Sequence, residues 1–97
     1  MSESYFQTQV LAYLRKCGAW AVNIHGNEFQ SGCPDILACY KGKFLALELK
    51  AVSGKASKLQ ERNVLKIRTA GGIAYIVYSM NAVKGILSEI DQSCQVS

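Results

Sequence analysis

The sequence predicts an α/β fold: a mixed four-stranded sheet flanked by helices. Three observations lead there. Residues 32–50 hold two apolar runs joined at Lys41-Gly42, which marks a hairpin whose strands are apolar on both faces. A helical stretch over 57–70 separates that hairpin from another apolar run, Ile73 to Tyr78, and a connection of that length suits a parallel pairing. Helical periodicity also opens and closes the chain, so each face of the sheet can be covered.

Residues 4–17 place Phe6, Val10, Leu14 (or Tyr13) and Cys17 on one face of a helix. Ser2 or Ser4 can cap it, and Gly18 ends it. Ala19 to Ile24 alternates Trp20, Val22 and Ile24 and reads as a short strand. His25 to Gly32 is a polar loop. In the hairpin, Leu37, Cys39, Phe44 and Ala46 share one face, and Ile36, Ala38, Leu45, Leu47 and Leu49 share the other. Cys39 is expected to be a small buried hydrophobe, and Trp20 to belong to the core or to a subunit interface. Ala51 to Ala56 is a second loop. Ser57-Lys58-Leu59-Gln60 matches a capping box, which opens a helix over 57–70 that buries Leu59, Asn63 or Val64, Ile67 and Ala70 (or Gly71). Gly71-Gly72 stops it. Ile73 to Tyr78 is the fourth strand, and Ser79 to Ile90 is a third helix, buried through Val83, Ile86, Leu87 and Ile90. A frayed polar tail over 92–97 is expected. The order is α-β-β-β-α-β-α, with no internal repeat apparent.

Composition narrows the function classes. With 49% hydrophobic and 19% charged residues among 97, the chain reads as a folded domain. Eight of its eleven Lys and Arg residues lie between Lys41 and Arg68, opposed there only by Glu48 and Glu61. A basic half on a small domain suits a polyanionic partner, nucleic acid first; the alternative is a solubilising surface. Four cysteines without a CxxC, and a single His, give no basis for a Cys/His zinc centre. Ser2-Glu3-Ser4 lacks the basic n-region of a signal peptide, and no apolar run approaches a membrane span. The expectation is an intracellular protein with reduced thiols and no membrane partner.

The hairpin carries the chemistry. If Lys41 and Gly42 form the loop, Tyr40 faces Lys43 and Asp35 faces Glu48. Their Cβ atoms are then roughly 4.5–5.5 Å apart on one sheet face. Lys50 shares that face. Two facing carboxylates repel unless a cation or a proton joins them, so the arrangement suggests a divalent-metal site with a lysine beside it. Hard divalent cations take oxygen ligands, which favours Mg2+ or Mn2+.

Pro34-Asp35, twelve intervening residues, then Glu48-Leu49-Lys50 resembles the PD-(D/E)xK nuclease motif. The element order resembles that superfamily's restriction-endonuclease-like αβββαβ core. Gly32-x-Pro34-Asp35-Ile36 and Gln60 add a resemblance to its VRR-NUC branch, stand-alone phage and bacterial proteins of about this length, over nearly the whole of 1–97. The resemblance implies that Asp35, Glu48 and the Leu49 carbonyl bind Mg2+ or Mn2+. It implies that Lys50 holds or helps deprotonate the attacking water, and that Gln60 orients Lys50 or the water. Glu3 matches an acidic residue that contacts the metal through water; its other reading is a favourable charge at a helix N-terminus. Gln60 also has a second reading, as the last member of the capping box. Lys55, Lys58 and Arg62 are candidates for phosphate contact, or form a solvated basic face with Lys66. His25 and Glu28 lie on the loop leading to the site, and their roles stay open.

The function expected is metal-dependent hydrolysis of DNA phosphodiesters, and the resemblance implies 5′-phosphate products. Structure-selective cleavage of four-way junctions by a homodimer is the leading form, in the cytoplasm; a phage-encoded protein in a bacterial host is what the resemblance suggests for its origin. The alternative is a nucleic-acid-binding module, or a nuclease subunit needing a partner.

Overall fold

A computed structural model describes residues 3–24, 32–51 and 53–95. The elements are α1 (Glu3–Lys16), β1 (Trp20–Asn23), β2 (Ile36–Tyr40), β3 (Lys43–Leu49), α2 (Lys58–Thr69), β4 (Ile73–Val77) and α3 (Met80–Gln95). The sheet order is β1-β2-β3-β4; the first two pairings are antiparallel and β3–β4 is parallel. This is the mixed four-stranded sheet expected, with helices on both faces.

Tyr40 pairs with Lys43 and Ile36 with Leu47, so the two-residue turn sets the register. Lys41 and Gly42 have φ of +50° and +81°, the type I′ combination whose twist matches that of the flanking strands. Lys41 adopts this left-handed conformation without glycine's freedom. Its side chain is anchored: Nζ lies 2.7 Å from Asp91 Oδ1, which also accepts a 2.7 Å hydrogen bond from Tyr40 Oη–H. Lys41 is the main reason that the Asp91 carboxyl sits below the usual carboxylate range, followed by Tyr40. This link pins the hairpin to α3 and accounts for a correction: the helix does not end at Ile90 but runs to Gln95.

The two faces differ. Toward α1 and α3, Ile36, Ala38, Leu45, Leu47 and Leu49 pack against Phe6, Val10, Leu14, Val83, Leu87 and Ile90 in one core. Full burial of each large side chain contributes roughly 1.5–3 kcal/mol. Toward α2 the core is Ala46, Val64 and Ala74, with Leu37, Ile67 and Ile76 partly buried. Val64 is the buried residue of α2; Leu59 and Ala70, expected inside, are exposed. On this face Trp20 is 64% exposed and Phe44 46%, with Cys39 exposed between them on β2. Cys39 is therefore not a core residue, and neither is Trp20. The alternation was apolar, but α2 lies over β3 and β4 and leaves this part of the face uncovered.

The strands at the two sides of the sheet begin alike. Arg15 in the last turn of α1 donates from Nη2 to the Ala21 carbonyl of β1 at 2.9 Å, and Arg68 in α2 donates from Nε to the Ala74 carbonyl of β4 at 2.8 Å. Both sit in Arg-x-x-Gly-x-x-Ala, a short repeat that sequence inspection missed. The Arg68 guanidinium also lies over the Tyr75 ring, 4.8 Å from its centroid. Among the described residues no helix is long and apolar enough to cross a membrane.

Candidate active site

The hairpin ends opposite its turn, where Pro34 and Asp35 enter β2 and Glu48 to Lys50 leave β3. Gly32 sets this entry. Its φ is +80°, and a Cβ there would stand 2.6 Å from Leu59 Cγ. Only glycine lets the chain pass this close to α2 while holding a left-handed backbone. Pro34 and Asp35 are buried just beyond it.

The pairing of Ile36 with Leu47, carried one residue further, sets Asp35 beside Glu48 on the α2 face. Asp35 Oδ2 accepts a 2.9 Å hydrogen bond from the Leu49 N–H. Backbone alternation turns the Leu49 carbonyl to the same side of β3 as that N–H. Glu48 is 2% exposed. Its Oε2 accepts a 3.0 Å hydrogen bond from Gln60 Nε2 and lies 3.6 Å from Lys50 Nζ. Among the described residues its Oε1 is buried without a hydrogen-bond partner. Burial first, and then the Asp35 carboxylate, push the Glu48 carboxyl up to about 8, against the pull of Lys50. A buried acceptor with no donor, next to a second carboxylate, is an arrangement that a cation relieves.

Asp35, Glu48 and the Leu49 carbonyl could thus hold a hard divalent ion through oxygen alone. Among the described residues no three His, Cys, Asp or Glu side chains converge, so main-chain oxygen, water or substrate would complete such a shell. Lys50 is nearly buried beside the pair. Lys55, Lys58 and Arg62 are exposed, with Lys58 opening α2 two residues before Gln60. The Glu3 side chain, His25 and Glu28 lie outside the described residues.

A family model described as archaeal Holliday junction resolvase (Hjc) matches residues 4–93. The chain belongs to the Hjc family of PD-(D/E)xK nucleases. Among solved structures, this Hjc-family chain is similar to a VRR_NUC domain at a TM-score of 0.72 and 22% identity, over 89% of this chain and 94% of that one. It is also similar to Hjc, a Holliday junction resolvase from the hyperthermophile Archaeoglobus fulgidus, at a TM-score of 0.60 and 28% identity, over 77% of this chain and 65% of that one. No curated protein matches it in sequence.

Gln60 is where the Hjc-family chain departs from a choice that the sequence left open. The capping box and the site contact both form, with Gln60 Oε1 accepting from the Ser57 N–H at 2.8 Å while Nε2 reaches Glu48. The Leu49 N–H bond to Asp35 was not foreseen, although the strand register already set those residues diagonally across the ladder. Asp91 and the paired arginines went unnoticed because their partners are distant in sequence or are main-chain atoms.

Proposed function

We propose that this chain is a divalent-metal-dependent deoxyribonuclease that cuts branched DNA, four-way junctions foremost, as a homodimer of one nuclease domain per chain. The observation that carries the proposal is the buried Asp35–Glu48 pair, with an unpartnered Glu48 oxygen and Lys50 alongside, in a member of the Hjc family. Asp35, Glu48 and the Leu49 carbonyl would hold Mg2+ or Mn2+. When bound, such an ion polarises a phosphate oxygen and lowers the pKa of water. Lys50 faces the phosphate and stabilises the negative charge that grows as water attacks phosphorus and the bond to the leaving oxygen breaks. Gln60 fixes the Glu48 carboxylate. Lys55, Lys58 and Arg62 would contact flanking phosphates, which makes binding fall with salt. A homodimer would set two such sites against two strands of a junction.

The test is cleavage of a labelled four-way junction, a duplex and a single strand with Mg2+, Mn2+ or EDTA. Metal-dependent cutting of the junction is expected, reduced at least about a hundredfold in both Asp35→Asn and Lys50→Ala. Wild-type rates in those variants would refute the site. Binding without cutting under every metal would leave a DNA-binding module instead. Size exclusion at assay concentration checks the dimer.

A further inference from the structure

We infer that Ser57 is a positioning residue for the Glu48 carboxylate, acting through the side-chain amide of Gln60; this rests on the metal-site reading above. Ser57 is exposed, at the start of α2. The link runs through the two ends of one amide, which differ chemically. The Ser57 main-chain N–H donates to Gln60 Oε1 at 2.8 Å, and Ser57 Oγ accepts from the Gln60 main-chain N–H at 3.1 Å. The carbonyl end of the amide is therefore committed to the helix cap. Its NH2 end must point the other way, and it meets Glu48 Oε2 at 3.0 Å.

Rotating the amide by half a turn would set a carbonyl oxygen against a carboxylate and an NH2 group against an N–H. Both contacts would be repulsive, so the cap selects one orientation. That orientation gives Glu48 an N–H donor rather than a second acceptor. Oε2 is held by Gln60 and neighboured by Lys50, and Oε1 has no hydrogen-bond partner among the described residues. The capping box thus does two jobs with one set of bonds. It closes the helix end, and it holds Glu48 through Oε2. The coupling is reciprocal: a cation that favours this Glu48 position also favours the ordered start of α2.

The inference predicts an effect on metal affinity from a residue that touches neither carboxylate. The experiment titrates Mn2+ into the full chain by calorimetry, well below the melting temperature, for wild type, Ser57→Ala, Ser57→Gly, Ser57→Thr, Gln60→Ala and the Ser57→Ala/Gln60→Ala double variant. Gln60→Ala should weaken Mn2+ binding about tenfold, as loss of a group that orients a metal ligand does, and Ser57→Ala by about threefold to tenfold. Ser57→Gly keeps most of the capping stability yet lacks the hydroxyl, so it should weaken binding as Ser57→Ala does while melting closer to wild type. Threonine should restore affinity. In the double variant, Ser57→Ala should add nothing to Gln60→Ala. Equal Mn2+ affinity of wild type, Ser57→Ala and Ser57→Gly, or an undiminished effect of Ser57→Ala without Gln60, overturns the inference and leaves the metal site standing. Failure of wild type to bind Mn2+ overturns both.

Discussion

The two faces of the sheet are built to different ends. Toward α1 and α3, the odd-numbered positions of β3 carry three leucines with no exposure, closed in by two helices. Toward α2, the even-numbered positions carry Phe44, Ala46 and Glu48, and a single helix covers part of them. Successive residues of one strand thus serve cohesion and, in the function proposed above, chemistry in turn. Because one face supplies most of the apolar burial, the other can carry two carboxylates in a buried setting that opposes folding.

The largest separation between the faces should appear on truncation. Leu47→Ala should cost about 2–5 kcal/mol, the range for a leucine that leaves a cavity in a closed core. Val64→Ala, in the thin layer beneath α2, should cost less, and urea unfolding of the two variants measures the gap. Equal losses would mean that the α2 face contributes as much cohesion as its partner.

The next effect is one of pH. Glu48 titrates near 4.5 when exposed and near 8 in the folded protein. Below about 4.5 both states are protonated and nothing is lost. Between 4.5 and 8 the unfolded chain has released this proton while the folded one keeps it, so stability declines as pH rises. The slope approaches about 1.4 kcal/mol per pH unit for this single group. Urea midpoints of metal-free protein at pH 5, 6.5 and 8 should therefore descend. Glu48→Gln should remove this part of the descent, as should saturating Mg2+. A midpoint that rises over this window in wild type and not in Glu48→Gln would reverse the assignment.

The hairpin that presents both faces was legible in the sequence because its determinants are local. Lys41-Gly42 fixes a two-residue loop, the loop fixes register, and register puts Asp35, Glu48 and Lys50 on one side. Gln60 was legible as two competing roles; only the three-dimensional path of the Ser57–Gln60 turn past β3 shows both at once. The exposure of Trp20, Cys39 and Phe44 was not legible. Alternation states which residues share a face, but not whether a helix reaches them, and α2 reaches β3 and β4. The C-terminal extent of α3 was missed for a related reason, since Asp91 finds Tyr40 across 51 positions of chain.

That contact gives the smallest of the expected effects. Asp91→Ala should leave the core amides of α3 protected against hydrogen exchange and speed exchange over its last turn, residues 91–95, with only a slight fall in melting temperature. Unchanged exchange there would show that the helix end stands without the hairpin.

The matched arginines have a consequence for how copies of this molecule can meet. A strand at the side of a sheet offers its outward main-chain groups to any extended segment that arrives. Here the second residue of each outer strand already has its carbonyl taken, by Arg15 on one side and Arg68 on the other. A newcomer pairing at that residue would have to displace a charged side chain. Growth into a longer ribbon is thus opposed at each side of the sheet by an arginine that belongs to a helix.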